Sequence, residues 1–72
     1  MVNKILNYIG MDCHFLPVYK DENGKLWKDA DPRSHAPAAL YSVQGDEFDG
    51  APILPRLGSE FRPVMKPKRK TW

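Results

Sequence analysis

Apolar and polar positions alternate most clearly in VYKDENGKLWKD, where two short apolar runs flank a polar segment ending in Asn-Gly. A type I turn over Asp21-Glu22-Asn23-Gly24, with Gly24 left-handed, predicts a three-residue loop closing a hairpin over 18–28. That register sets Tyr19 opposite Trp27 and Asp21 opposite Lys25, an aromatic and an opposite-charge pair on one face. A two-residue Asn-Gly turn is the alternative, and it shifts every pair by one and breaks the aromatic match.

The first segment carries two patterns. Val2, Ile5, Leu6 and Ile9 fit one helical face, whereas Ile5, Asn7 and Ile9 alternate as in a strand, and Gly10 is able to end either. Its β-branched and aromatic residues favour the strand. Residues 38–43 read as a strand or a single helical turn between Pro37 and Gly45, and GDEFDGAPILP is rich in turn formers. Leu54, Leu57, Phe61 and Val64 are expected to pack as an extended segment, because Pro55, Pro63 and Pro67 prevent a regular helix. The expected fold class is a small α+β, mostly β domain: an antiparallel sheet of three to four strands over residues 1–64, followed by a flexible basic C-terminal arm over 65–72.

Composition sharpens this picture. With 72 residues the chain has room for one domain and buries roughly 60% of its unfolded surface, too little for a large enclosed active site. One cysteine excludes an internal disulfide and points to a reducing, cytosolic context. No apolar run approaches the ~20 residues of a membrane span, and neither a span nor a signal peptide is expected. The net charge of +2 hides an asymmetry: residues 1–55 hold five cations against eight acids, and residues 56–72 hold six cations against one. An acidic body with a basic arm is a layout met in proteins that contact nucleic acid or acidic partners.

Catalytic motifs are missing. GDEFDG has neither the glycine spacing nor the Lys-Ser/Thr ending of a phosphate-binding loop, so an enzyme is not expected. Cys13 and His14, read as neighbours on a strand, point to opposite faces and cannot share a substrate atom; with His35 and a carboxylate they fall short of zinc spacing. Asp46, Glu47 and Asp49 lack the closing acid of a calcium loop, since the twelfth position is Leu57; a solvated turn is expected, with Asp46 or Asp49 bonding its own backbone. Pro52-Ile53-Leu54-Pro55 matches PxxP, but packing of Ile53 and Leu54 on the sheet is the preferred reading. No cofactor, metal or small-molecule substrate is expected, and the chain reads as a monomer.

The C-terminal segment VMKPKRKTW holds the candidate nucleic-acid contacts. Lys66, Lys68, Arg69 and Lys70, with Arg62, suffice for roughly four or five phosphates, with a log–log salt slope of about −3 on a single strand. Trp72 is placed to stack on an unpaired base. The competing reading is a solvated terminus that keeps a small protein soluble.

Taken as a frame, NYIGMD, PVYKDENGKLWKDADPR and LYSVQGDEFDGAPILP resemble a small module of phages and mobile genetic elements. Its recurring pattern is Tyr-x-Gly-x-Asp, then Pro-Val-Tyr with a Gly-Lys-Leu-Trp hairpin, then Phe-Asp-Gly-x-Pro. The likeness covers about residues 7–55 and is greatest toward the small inhibitors of host RNA polymerase and antitermination factors of Xanthomonas siphophages. The resemblance implies a non-enzymatic regulator in the cytoplasm of the bacterial host. It would bind RNA polymerase at the N-terminal part of β′ and near the β flap, by the RNA exit channel. There it would inhibit initiation and promote read-through of terminators with an elongation factor of the NusA type, in contact with nascent RNA. The chain departs from the frame at MDCHFLP, where related modules are more polar, which makes that stretch a candidate partner surface; the expected contacts are its Cys13, His14 and Phe15, with Tyr8 and Ile9 just before it. A general RNA- or DNA-binding accessory protein and an inhibitor of another host machine are the alternative functions.

Overall fold

The computed structural model describes residues 2–30 and 39–66; Lys68, Arg69, Lys70 and Trp72 of the expected arm, and His35, lie outside them. The described chain forms one six-stranded sheet: β1 (Val2–Met11), β2 (Pro17–Asp21), β3 (Leu26–Asp29), β4 (Leu40–Val43), β5 (Pro52–Arg56) and β6 (Phe61–Lys66). A 3₁₀ turn over Gln44–Asp46 is the only helical element among the described residues.

The hairpin forms as its turn chemistry predicts. Tyr19 pairs with Trp27 and Lys20 with Leu26, and Gly24 has φ +81°, where a side chain would be strained. The expected Asp21–Lys25 ion pair does not form. Those two residues meet through the backbone, Asp21 N–H donating to Lys25 O at 2.9 Å. The Asp21 carboxylate faces Lys4 at 3.3 Å instead, and the Lys25 ammonium sits 5.1 Å from the centre of the Trp27 ring. A third strand thus supplies the counter-charge, which local sequence has no means of specifying.

The sheet order is β5-β4-β3-β2-β1-β6, so six strands replace the three or four expected. Neighbours pair antiparallel except β1 and β6, which run parallel from Val2↔Phe61 to Asn7↔Lys66. The first segment is a strand, and residues 40–43 are a strand, not a helical turn. β6 runs through Met65 and Lys66, two residues beyond the expected end of the body. Cross-strand pairing with Leu6 and Asn7 carries the ladder past Pro63.

Strands β5 and β6 occupy opposite edges although only residues 57–60 separate them. In a flat sheet five inter-strand steps amount to about 24 Å, whereas the chain from Arg56 to Phe61 reaches at most about 18 Å. The sheet must therefore curl into a partly open barrel. Three bonds hold the crossing: Leu57 N–H to Leu40 O, Phe61 N–H to Gly58 O and Val2 N–H to Glu60 O, each 2.9–3.0 Å.

Curling gives an inner face packed on Leu6, Tyr19, Trp27 and Leu40, joined by Tyr8, Leu57 and Met65. Tyr8 meets Tyr19 edge-on, 5.7 Å between ring centres. The outer face has its own cluster of Val18, Leu26 and Val43. The segment after β4 folds back over it: Asp46 Oδ1 accepts the Leu26 N–H at 2.8 Å, and Phe48 approaches Gly10. With both faces covered, every residue of β3 is buried, including Lys28 at 0% exposure. Its ammonium is satisfied by Asp12 Oδ2 and by Gly50 O, each at 2.5 Å. An ammonium taken fully out of water is tolerated only when paired and hydrogen-bonded in this way.

Candidate docking and nucleic-acid surfaces

Two loops at opposite ends of β2 are built on one plan. In each, an aspartate donates its N–H to the carbonyl four residues on (Asp12 to Leu16, 3.0 Å; Asp21 to Lys25, 2.9 Å). In each, the N–H three residues on returns to the aspartate carbonyl (Phe15 to Asp12, 3.1 Å; Gly24 to Asp21, 3.0 Å). In each, Oδ1 accepts two further backbone N–H groups: His14 and Leu16 in one loop, Asn23 and Lys25 in the other. The plan is a type I turn followed by a left-handed residue, a frequent three-residue hairpin loop.

The loops differ at the left-handed position. One has Gly24 with φ +81°; the other has Phe15 with φ +62°. A bulky side chain is disfavoured there by roughly 1–2 kcal/mol. No packing offsets the penalty, because Phe15 is 77% exposed. A residue held in a costly conformation and presented to solvent is a candidate contact.

Around Phe15 the same end of the sheet exposes further apolar surface. Ile9 and Met11 are exposed at the end of β1, as is Phe48 beside Gly10. The ladder between β1 and β2 shifts register between Tyr8 and Gly10, and Gly10, at φ +134°, accommodates the bulge that displays Ile9. Of the residues marked from sequence, Ile9, Cys13, His14 and Phe15 are exposed at this end, whereas Tyr8 is half-buried against the inner core. Met11 and Phe48 were not marked. Phe48 lay in a segment read as a solvated turn, and only its fold back over β1 brings it here.

Cys13 and His14 are in the loop and not on a strand, so they do not point apart: Sγ lies 3.4 Å from Nδ1. Among the described residues no group of three His, Cys, Asp or Glu is arranged to hold a metal ion. Asp46 bonds across to Leu26 instead of its own turn. Ile53 and Leu54 do not pack on the sheet. They lie on the edge strand β5, exposed to 40% and 75%; every residue of that strand, which has a neighbour on one side only, is exposed. A recess of about 160 Å³ lies between Leu40, Leu57, Phe61 and Pro63, well below the roughly 300–1,000 Å³ of sites for small organic ligands.

Asp12 and Asp21 anchor the two loops electrostatically. Burial works to raise both carboxyl pKa values, but bonds from Lys28, Leu16 and His14 to Asp12 outweigh it, as do bonds from Trp27, Lys25, Asn23 and Lys4 to Asp21. Both therefore lie below the ordinary value and stay ionised.

Of the candidate nucleic-acid contacts, Arg62 and Lys66 are exposed on β6. They sit at the edge of the sheet, from which the chain continues into the remaining cations. No described helix is long and apolar enough to cross a membrane. Comparison with protein-family models, with curated proteins and with solved structures finds no significant match to this chain.

Proposed function

We propose that the protein is a phage-encoded, non-enzymatic regulator that binds bacterial RNA polymerase in the host cytoplasm. It docks by its body near the RNA exit channel, on the β′ N-terminal region and β flap, and its basic C-terminal arm meets nascent RNA. Docking blocks promoter use; the arm favours read-through of terminators, with a NusA-type factor as helper. The observation that carries the docking half is Phe15, an exposed aromatic in a left-handed position that glycine fills in the sister loop. Exposed apolar residues at the same end of the sheet, Ile9, Met11 and Phe48, offer the apolar area that the centre of a protein interface needs. The sequence frame described above supplies the identity of the partner.

The test is retention of the tagged full-length chain on purified bacterial polymerase, followed by single-round transcription through an intrinsic terminator. Wild type is expected to bind and to raise read-through. Phe15→Ser is expected to weaken binding at least tenfold, the ~1.4 kcal/mol or more of an aromatic anchor. Neutralising Lys66, Lys68, Arg69 and Lys70 to Gln is expected to spare binding and reduce read-through. A wild-type chain that ignores polymerase ends this reading. Recovery of a different host complex from lysate would favour an inhibitor of that machine instead.

A further inference from the structure

The outer face of β1, β2 and β6 carries a second arrangement, one that only the register brings together. Lys20 on β2 stands opposite Asn7 on β1, and Asn7 stands opposite Lys66 on β6. Four residues back along both strands, Arg62 stands opposite Asn3. Side chains of paired residues share a face and alternate along each strand. Lys20, Asn7, Lys66, Asn3 and Arg62 thus project on the side away from Tyr19 and Trp27, and all five are exposed. Half-buried Ile5 and Val64, paired with each other, form the floor between the two rows.

We propose that this face is a binding strip for the sugar–phosphate backbone of a single-stranded nucleic acid, with Lys20 its unassigned member. The proposal rests on the reading that the arm meets RNA and extends that contact onto the folded body. Charge complementarity carries it. Lys20 and Lys66 are two strand spacings apart, about 10 Å, and Arg62 lies four residues from Lys66, about 13 Å. Between the cations stand neutral amides, Asn3 and Asn7, whose side chains hydrogen-bond phosphate and sugar oxygens.

Among the described residues, the positions of β1, β2 and β6 that face this way carry no acid. Asp21 faces the other side, buried against Trp27 and Lys4. Glu22 and Glu60 lie in turns at its ends, and Asp46 is anchored beyond β3 at Leu26. The floor is aliphatic, without an aromatic platform, so the strip grips backbone and not bases and is tolerant of sequence. β6 ends at Lys66, and Lys68, Arg69 and Lys70 follow it in the sequence.

The experiment measures fluorescence anisotropy of a labelled uridine-rich 20-mer with the full-length chain, from about 50 to 200 mM salt. Lys20→Gln is expected to flatten the log–log salt slope by about 0.7, the value of one phosphate contact on a single strand, and to weaken binding several-fold at 100 mM. Asn7→Asp, which puts an anion between two cations, is expected to lose more. Lys25→Gln, an equal loss of charge from a residue held over Trp27, is expected to change the slope far less. Urea midpoints matching wild type show that the surface variants remain folded. If Lys20→Gln and Asn7→Asp bind as wild type does while neutralised Lys68, Arg69 and Lys70 do not, the arm acts alone and the strip is refuted, with the RNA reading intact. If wild type shows no binding, both fall. Equal dependence of poly-glutamate binding on Lys20 also overturns the assignment to nucleic acid.

Discussion

Replacing Phe15 by glycine is expected to make this protein more stable while impairing its contact with a partner. The two loops share their hydrogen bonds, so the sister loop shows what this backbone accepts: Gly24 at φ +81° where the other has Phe15 at φ +62°. Relieving the left-handed strain returns roughly 1–2 kcal/mol. Glycine gives back roughly 0.5–1 kcal/mol through the added freedom of the unfolded chain. Little packing is lost, because the ring is 77% exposed. The balance is a gain centred on about 0.7 kcal/mol, within a span of about 0–1.5, or roughly 3–6 °C in Tm for a domain this small at the centre value. Urea denaturation at neutral pH, followed by circular dichroism, measures it. The mirror variant Gly24→Ala is expected to lose about 1 kcal/mol from backbone strain alone, since an added Cβ there meets nothing within 4 Å. A Phe15→Gly midpoint below that of wild type would refute the argument, for it would mean that the ring contributes to the fold.

Lys28→Met is expected to cost about 3–5 kcal/mol, because it strands the buried Asp12 carboxylate and the Gly50 carbonyl; a loss under 1 kcal/mol by the same urea assay would show that water or rearrangement replaces the ammonium. Stability should also fall in acid. The native pKa values of Asp12 and Asp21 lie below the ordinary 3.8, so their contribution is complete above about pH 4 and is lost as pH falls through the depressed native values; equal urea midpoints at pH 6 and pH 3 would contradict this. Gly10→Ala combines strain at φ +134° with a Cβ 3.3 Å from the Phe48 ring and is expected to cost about 1–3 kcal/mol, more than Gly24→Ala; the opposite ranking in thermal melts would count against Phe48 being held on β1.

Local chemistry made part of this fold readable. The hairpin followed from Asn-Gly after an aspartate, and its Tyr19–Trp27 register followed from matching the two flanking runs. The strand over the first segment followed from its β-branched residues. The loop Asp12–Leu16 escaped notice because its left-handed residue is a phenylalanine, and turn signals are read from glycine and asparagine. Reading Cys13 and His14 as strand neighbours failed for the same reason. Nothing near Lys28 in the sequence indicates that its ammonium would be buried and held by Asp12 and Gly50, 16 and 22 residues away.

The candidate surfaces divide in the same way. The run of cations after residue 61 is visible in the chain itself, as is the unusual apolar character of MDCHFLP. Lys20 is an isolated lysine in sequence and joins Arg62 and Lys66 only because β1 lies between β2 and β6. Ile53 and Leu54 read as core and are exposed, because β5 ended at an edge.

Sequence by itself determined what depends on near neighbours: the turn at residues 21–24, the extended state of most segments, the charge asymmetry and the absence of a motif for catalysis. Tertiary structure alone decided the curl of the sheet, the parallel addition of β6, the pairing of Lys28 with Asp12 and the gathering of cations on one face. Those features arise from contacts between residues distant in the chain. Their energy comes from closing an exposed edge and covering a second face, and a reading of local periodicity carries no term for either.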